Sequence, residues 1–143
     1  MRLLLDVNVL VALLDEGHVH HAIAQALVAK PKLKIATCAL TENGVLRVMN
    51  LPGYSAYGPA GFEPVRKQVL RLCSDIDHEF WHCDVSLVDH DAVQWSRVMG
   101  HNQITDVYLL ALAVQHGGAL ATLDHRVALS TVQGAEKKHL VLL

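Results

Sequence analysis

"LLLDVNVLVALL", residues 3–14, is an apolar run interrupted by Asp6 and Asn8. Burying an unpartnered carboxylate costs several kcal/mol or shifts its pKa, so an acid here either caps an element or holds something. The run is too long for a single strand. Arg2 to Leu5 reads as a strand ending in Asp6, and Val7 to Leu14 as the helix that follows. Asp6 therefore sits at a strand-to-helix junction.

The same alternation continues along the chain. His18 to Ala29 has apolar residues at helical spacing and ends before Lys30-Pro31, where proline stops a helix. "KLKIAT" (32–37) reads as a second strand and Leu40 to Met49 as a helix with Thr41 and Glu42 in its first turn. Residues 50–64 carry three prolines and three glycines and read as a loop. Phe62 to Cys73 resumes helical spacing, "EFWHC" (79–83) is a candidate strand, and Asp91 to Met99 a further helix. "QITDVYLLALAVQHGG" (103–118) is the clearest helix, with Thr105 as N-cap, Asp106 in the first turn and Gly117 or Gly118 as the stop. "ALATLD" (119–124) then reads as a buried strand ending at Asp124, and "HLVLL" (139–143) as the last. Strands alternating with helices predict an α/β fold, a central, mainly parallel sheet flanked by helices, with residues 1–143 as one domain.

Composition sets the class. A chain of 143 residues with 52% hydrophobic and 18% charged residues is that of a packed globular domain. The apolar N-terminus is interrupted at Asp6 and Asn8, too short and polar for a membrane span, and no small-residue cleavage site follows. Three cysteines without CxxC spacing argue against a disulfide framework or zinc ribbon, so a reducing cytoplasm is the expected location. The net charge of −2 shows no global basic excess of the kind that announces a nucleic-acid binder. Basic clusters such as Lys30/Lys32/Lys34 and Arg66/Lys67/Arg71 read as solvated surface.

In open α/β sheets ligands bind beyond the C-terminal ends of the strands. Asp6 and Asp124 each end a strand on this reading, and Glu42 and Asp106 each lie in a first helical turn. Taken singly, each has an ordinary structural role: Asp6 as an N-cap, Glu42 and Asp106 as complements to a helix dipole, Asp124 as a turn residue. Gathered together, they would repel and raise one another's pKa unless a cation neutralised them. Hard oxygen donors at that density suit Mg²⁺ or Mn²⁺, and the chemistry implied is metal-assisted attack of water on a phosphodiester.

"LLLDVNVLVALL", "TENGVLRVMN", "ITDVYLLALA" and "LATLDHRVA" resemble the four motif segments of the PIN-domain ribonucleases, and in particular the VapC toxins of toxin–antitoxin pairs. The resemblance runs nearly end to end and includes the order of the acids. It implies that Asp6, Glu42, Asp106 and Asp124 form the catalytic, metal-binding set, with Asp6 and Asp106 foremost and Asn8 and Thr105 as polar supports. It further implies a Mg²⁺-dependent (or Mn²⁺-dependent) endoribonuclease, an RNA substrate, a small antitoxin partner and a homodimer. Arg47 and Arg126 are the nearest candidates for RNA contacts; the alternative for each is a salt bridge or a charge at a helix end.

Competing readings are a PIN nuclease of RNA processing, a catalytically idle PIN-like binding module, and a haloacid-dehalogenase-like phosphatase. The last wants DxD after its first strand and a later lysine; here Asn8 holds the second position and no lysine occurs between Lys67 and Lys137. Ten histidines invite a zinc reading, above all "HVHH" at 18–21, but without the i, i+4 spacing around an acid they read as an exposed helix start. Tyr54, Tyr57 and Phe62 offer either RNA stacking or protein packing.

Overall fold

A computed structural model describes residues 1–143. Its five strands are β1 (Leu3–Leu5), β2 (Lys34–Cys38), β3 (Asp77–Trp81), β4 (Ala119–Thr122) and β5 (Leu140–Leu142). The helices are α1 (Val7–Leu14), α2 (His21–Val28), α3 (Ala39–Val48), α4 (Phe62–Asp75) and α5 (Ile104–Gln115). All neighbouring strands pair in parallel, in the order β3-β2-β1-β4-β5. This is the α/β fold expected from the alternation.

Side chains of successive strand residues point to opposite faces, and the core divides accordingly. Leu3, Leu5, Ile35, Ala119 and Ala121 face one layer with Leu10, Leu27, Val45 and Val65 of α1 to α4. Leu4, Ala36 and Leu120 face the other layer, which is built on α5. Val107 to Ala113 are all buried, so α5 is apolar around its whole girth, as a helix enclosed by sheet and loops must be. The chain winds outward from β1 through β2 to β3, then returns to the other side of β1 with β4. β1 and β4 thus flank the point where the winding reverses, and a crevice opens there at the strand ends.

Glycine is required at the start of β4. A Cβ at Gly118 would lie 2.5 Å from the Trp81 ring and 2.6 Å from the Arg2 carbonyl, the latter fixed by its bond to Ala119 N. Gly118→Ala is expected to destabilise the fold by about 1–3 kcal/mol, the usual cost of overpacking, seen as a lower denaturant midpoint at an unchanged m-value.

Several sequence expectations are corrected. The helix read over 91–99 is absent: Gln94 N donates to Thr131 O and Gln133 N to Ala92 O, so this backbone pairs with the 131–133 segment and keeps only a single 3₁₀ turn at Trp95–Arg97. Residues 18–20 form a turn before α2, which starts at His21. β3 begins two residues earlier than read, because Asp77 pairs with Lys34. Thr105 is not an N-cap; a 3₁₀ turn at His101–Gln103 runs into α5, placing Thr105 inside its first turn. β4 ends at Thr122, two residues before Asp124. The loop before α4 is anchored where Tyr54 Oη donates to Asp15 Oδ2 at 2.6 Å, which commits Tyr54 to packing; Tyr57 and Phe62 are exposed. No helix is long and apolar enough to cross a membrane.

Candidate active site

Asp6 is both the last residue of the β1 edge and the N-cap of α1. Its backbone N donates to Ala121 O, and its Oδ1 accepts from Val7 N at 2.7 Å. Its Oδ2 accepts from Thr122 Oγ1 at 2.6 Å and from Asn8 Nδ2 at 2.9 Å. The residue is 5% exposed. Burial raises its pKa; the bonds from Thr122, Val7 and Asn8 oppose that rise, and the charge of Asp124 adds to it.

Asn8 ties two strand ends together. Its Oδ1 accepts from Leu123 N at 3.1 Å, and its Nδ2 reaches Thr122 Oγ1 at 3.1 Å as well as Asp6. That side chain therefore takes the backbone donor just past β4, which helps to end the strand and turn the chain toward Asp124. An amide does this without adding a negative charge.

Asp106 projects from the first turn of α5 into the same crevice and is only half-buried. Burial is the leading cause that pushes its pKa up to about 6; Asp6 and Asp124 add to the rise and Arg126 opposes it, with no hydrogen bond among the causes. Asp124 is held differently. Arg126 grips both its oxygens, Nη2 to Oδ2 at 2.8 Å and Nε to Oδ1 at 3.0 Å, while Arg126 N also donates to Oδ1. Those bonds hold the Asp124 pKa below its ordinary value. One acid of the group is thus charged and neutralised by its own arginine, and another carries an uncompensated charge.

Glu42 stands apart. Leu40, Asn43, Gly44 and Arg47 recur at helical spacing on the face of α3 that looks toward Asp6, Asn8, Thr105 and Asp106. Glu42 is on the opposite face, beside Val45 and Leu46 and against α4, where its Oε1 accepts from Thr37 Oγ1 at 2.7 Å. Thr37 Oγ1 also lies 2.8 Å from His78 Nε2. Of the four expected acids, Asp6 and Asp124 lie near enough to Asp106 to raise its pKa, while Glu42 is held beyond the helix. No three acid, histidine or cysteine side chains close around a common point.

Two further features escape a reading of the sequence. Thr122 is fully buried and bonds both Asp6 and Asp124 N, yet in "LATLD" it reads as an ordinary strand residue; its odd-even offset from the buried Ala121 was the available signal. His18, which the sequence reads as part of an exposed helix start, lines the crevice with Asp6 and Arg47. Its Nδ1 accepts from His20 N at 3.1 Å, which places the proton of the neutral ring on Nε2.

The donor set fits a hard divalent cation. Both oxygens of Asp6 and of Asp124 already accept protein hydrogen bonds, but the Asp106 carboxylate takes none that a cation would have to displace. Mg²⁺ commonly binds through one or two carboxylates and keeps several waters, a requirement compatible with the open grouping of Asp6 and Asp106.

The sequence profile of the PIN domain matches residues 3–132. The chain belongs to the PIN-domain family. Among the curated PIN relatives, Ribonuclease VapC44 of Mycobacterium tuberculosis is 44% identical over 144 residues, covering 100% of both chains. Ribonuclease VapC29 of the same organism is 38% identical over 128 residues, 90% of each chain. These matches, over 100% and 90% of the chain, place it with the VapC ribonucleases of the PIN family. Its fold is shared with a crystal structure of M. tuberculosis VapC20, described as a sarcin-ricin loop cleaving toxin, at a TM-score of 0.54 and 18% identity over 85% of this chain and 87% of that one. It is also shared with VapBC2 from Rickettsia felis, bound to a DNA fragment from their promoter, at a TM-score of 0.54 and 14% identity over 100% and 98%. In PIN terms the motif acids fall at the ends of β1 and β4 and at the starts of α3 and α5.

Proposed function

We propose that this PIN protein is a Mg²⁺-dependent (or Mn²⁺-dependent) endoribonuclease, the toxin of a toxin–antitoxin pair. The observation that carries the reading is the grouping of Asp6, Asp106 and Asp124 where the winding reverses, with the Asp106 carboxylate free of protein partners. Asp6 and Asp106 would hold the cation, with Asp124, paired to Arg126, beside them. Glu42 joins as a further acid only by leaving Thr37.

A cation bound there supplies a water of lowered pKa and stabilises charge on the transferring phosphate. The protein's part is orientation. Thr122, Asn8 and Val7 N fix the Asp6 carboxylate from three directions, a supporting shell of the kind whose loss weakens metal affinity about 10- to 100-fold. Thr105, beside Asp106 on the crevice wall, offers a hydroxyl to substrate or water. Arg47, exposed on the crevice wall, and Arg126, mostly exposed beside Asp124, are placed to meet RNA phosphates.

RNA as substrate follows from the ribonuclease names of VapC44 and VapC29. An antitoxin partner follows from the R. felis neighbour being VapBC2, held on DNA from their promoter. A homodimer and a cytoplasmic location complete the proposal.

Chelator decides the metal dependence. With excess EDTA, cleavage of a total-RNA substrate by the purified protein is expected to fall to background, and a molar excess of Mg²⁺ or Mn²⁺ to restore it. Cleavage that persists at full rate in EDTA after dialysis would overturn the mechanism.

A further inference from the structure

Asp106 is shared by two hollows. One is the metal crevice with Asp6; the other is a separate cavity of about 180 Å³ on the far side, bounded by Met99, Gln103, Val107, Asp124 and Arg126. The proposed hydrolysis uses Asp106, Asp124 and Arg126 on one wall of this second cavity but gives no role to Met99, Gln103 or Val107 on the others.

Its walls combine apolar and polar groups. Val107 is buried at the base, and Met99, 86% exposed, offers a polarizable thioether at the mouth. Asp106 and Asp124 bring carboxylates and Thr131 Oγ1 donates to Ala128 O, while Gln103 and Arg126 present donors in fixed orientation. Gln103 Oε1 accepts from Met99 N at 2.7 Å; a backbone N–H can only donate, so the carbonyl end is committed and the NH₂ end remains as a donor. Arg126 spends Nε and Nη2 on Asp124 and retains Nη1, again a donor. An apolar slot with oriented polar groups at its edge is how single-stranded RNA bases are read.

We infer that this cavity is a nucleobase pocket beside the scissile bond, and that its oriented donors select a base presenting carbonyl oxygens. Guanine and uracil offer such acceptors; adenine and cytosine present an exocyclic amino donor at the equivalent edge. The inference rests on the RNA-cleaving reading and adds a cause for base preference to it.

The test separates the two. The ¹⁵N-labelled full chain is titrated with GMP, UMP, AMP, CMP and inorganic phosphate while the Met99 backbone amide, which Gln103 holds, is followed by NMR in wild type and in the variants below. GMP or UMP is expected to shift that amide saturably, with a Kd about tenfold or more below those of AMP and CMP, and comparison of the GMP and UMP arms identifies the base. Gln103→Glu keeps an acceptor for Met99 N but removes the donors, and Gln103→Met removes both; each should abolish the discrimination. In parallel, the ends produced from a randomised RNA are sequenced for wild type and both variants, and the base preference next to the cut should flatten. Equal affinity for all four nucleotides, a shift reproduced by phosphate alone, or a cleavage preference unchanged in both variants overturns the pocket. Nucleotide discrimination without any RNA cleavage upholds the pocket and overturns the nuclease reading.

Discussion

Asp106→Asn is expected to lower RNA cleavage by about a thousandfold or more, the scale of several kcal/mol of metal-assisted stabilisation, and at the same time to make the protein more stable. The second half follows from the charge balance. Burial first, then Asp6 and Asp124, raise the Asp106 pKa from 3.8 to about 6. The folded state therefore binds this proton more tightly than the unfolded chain does, and stability contributed by the protonated form is lost as pH rises from about 4 through about 6. An amide cannot ionise, so the variant escapes that loss. Because the group is half-exposed, screening reduces the gain to the order of 1 kcal/mol, or about 3 °C in Tm for a chain of this size. Thermal melts of both proteins at pH 4 and pH 7.5 check the sign: the curves should coincide at the lower pH and separate at the higher, the variant melting later. A variant less stable than wild type at pH 7.5 would mean that the Asp106 charge is compensated within the protein itself.

The parts of this site that were legible in the sequence are those with a period or a boundary. The β1–α1 break at Asp6, the apolar α5 and the order of Asp6, Asp106 and Asp124 follow from hydrophobic spacing and from acids standing at the ends of apolar runs. What was not legible depends on partners distant in sequence. Residues 91–99 have enough helical spacing to suggest a helix, but the backbone of Ala92 and Gln94 pairs with Gln133 and Thr131 instead, a tertiary pairing that local propensity cannot register. Glu42 illustrates the same limit in a side chain. Its position in the first turn of α3 is readable; which face it takes is decided by Gly44 packing against Val7 and by a hydroxyl on β2. Thr122 and His18 gain their roles only where strand ends and loops meet, beyond the reach of local spacing.

Asp6 is expected to behave in the opposite sense from Asp106 under mutation, although both would hold the same cation. Asp6→Ala and Asp6→Asn should each abolish cleavage, by about a thousandfold or more, since neither leaves a carboxylate for the metal. Their stabilities should diverge. Alanine removes the N-cap of α1, a loss of about 1 kcal/mol, and strands the buried Thr122 hydroxyl and the Asn8 amide, at about 1–3 kcal/mol for a donor left without a partner. Relief of a desolvated charge offsets part of this, because the Asp6 pKa is raised by burial in spite of its three bonds. Three donors lost together outweigh that relief, so Asp6→Ala should lose about 1–3 kcal/mol by urea denaturation at neutral pH. Asparagine keeps Oδ1 for Val7 N and removes the charge, but turns an NH₂ toward the NH₂ of Asn8 and toward a Thr122 Oγ1 that already accepts from Asn8 and Asp124 N. The two effects nearly cancel, and Asp6→Asn should unfold within about 1 kcal/mol of wild type. The stability order Asp106→Asn above wild type, Asp6→Asn near it and Asp6→Ala below it, among three variants without cleavage activity, distinguishes an acid anchored by the protein from one left free for a cation. Equal destabilisation of Asp6→Ala and Asp6→Asn would show instead that the charge of Asp6, and not its hydrogen bonding, holds the ends of β1 and β4 together.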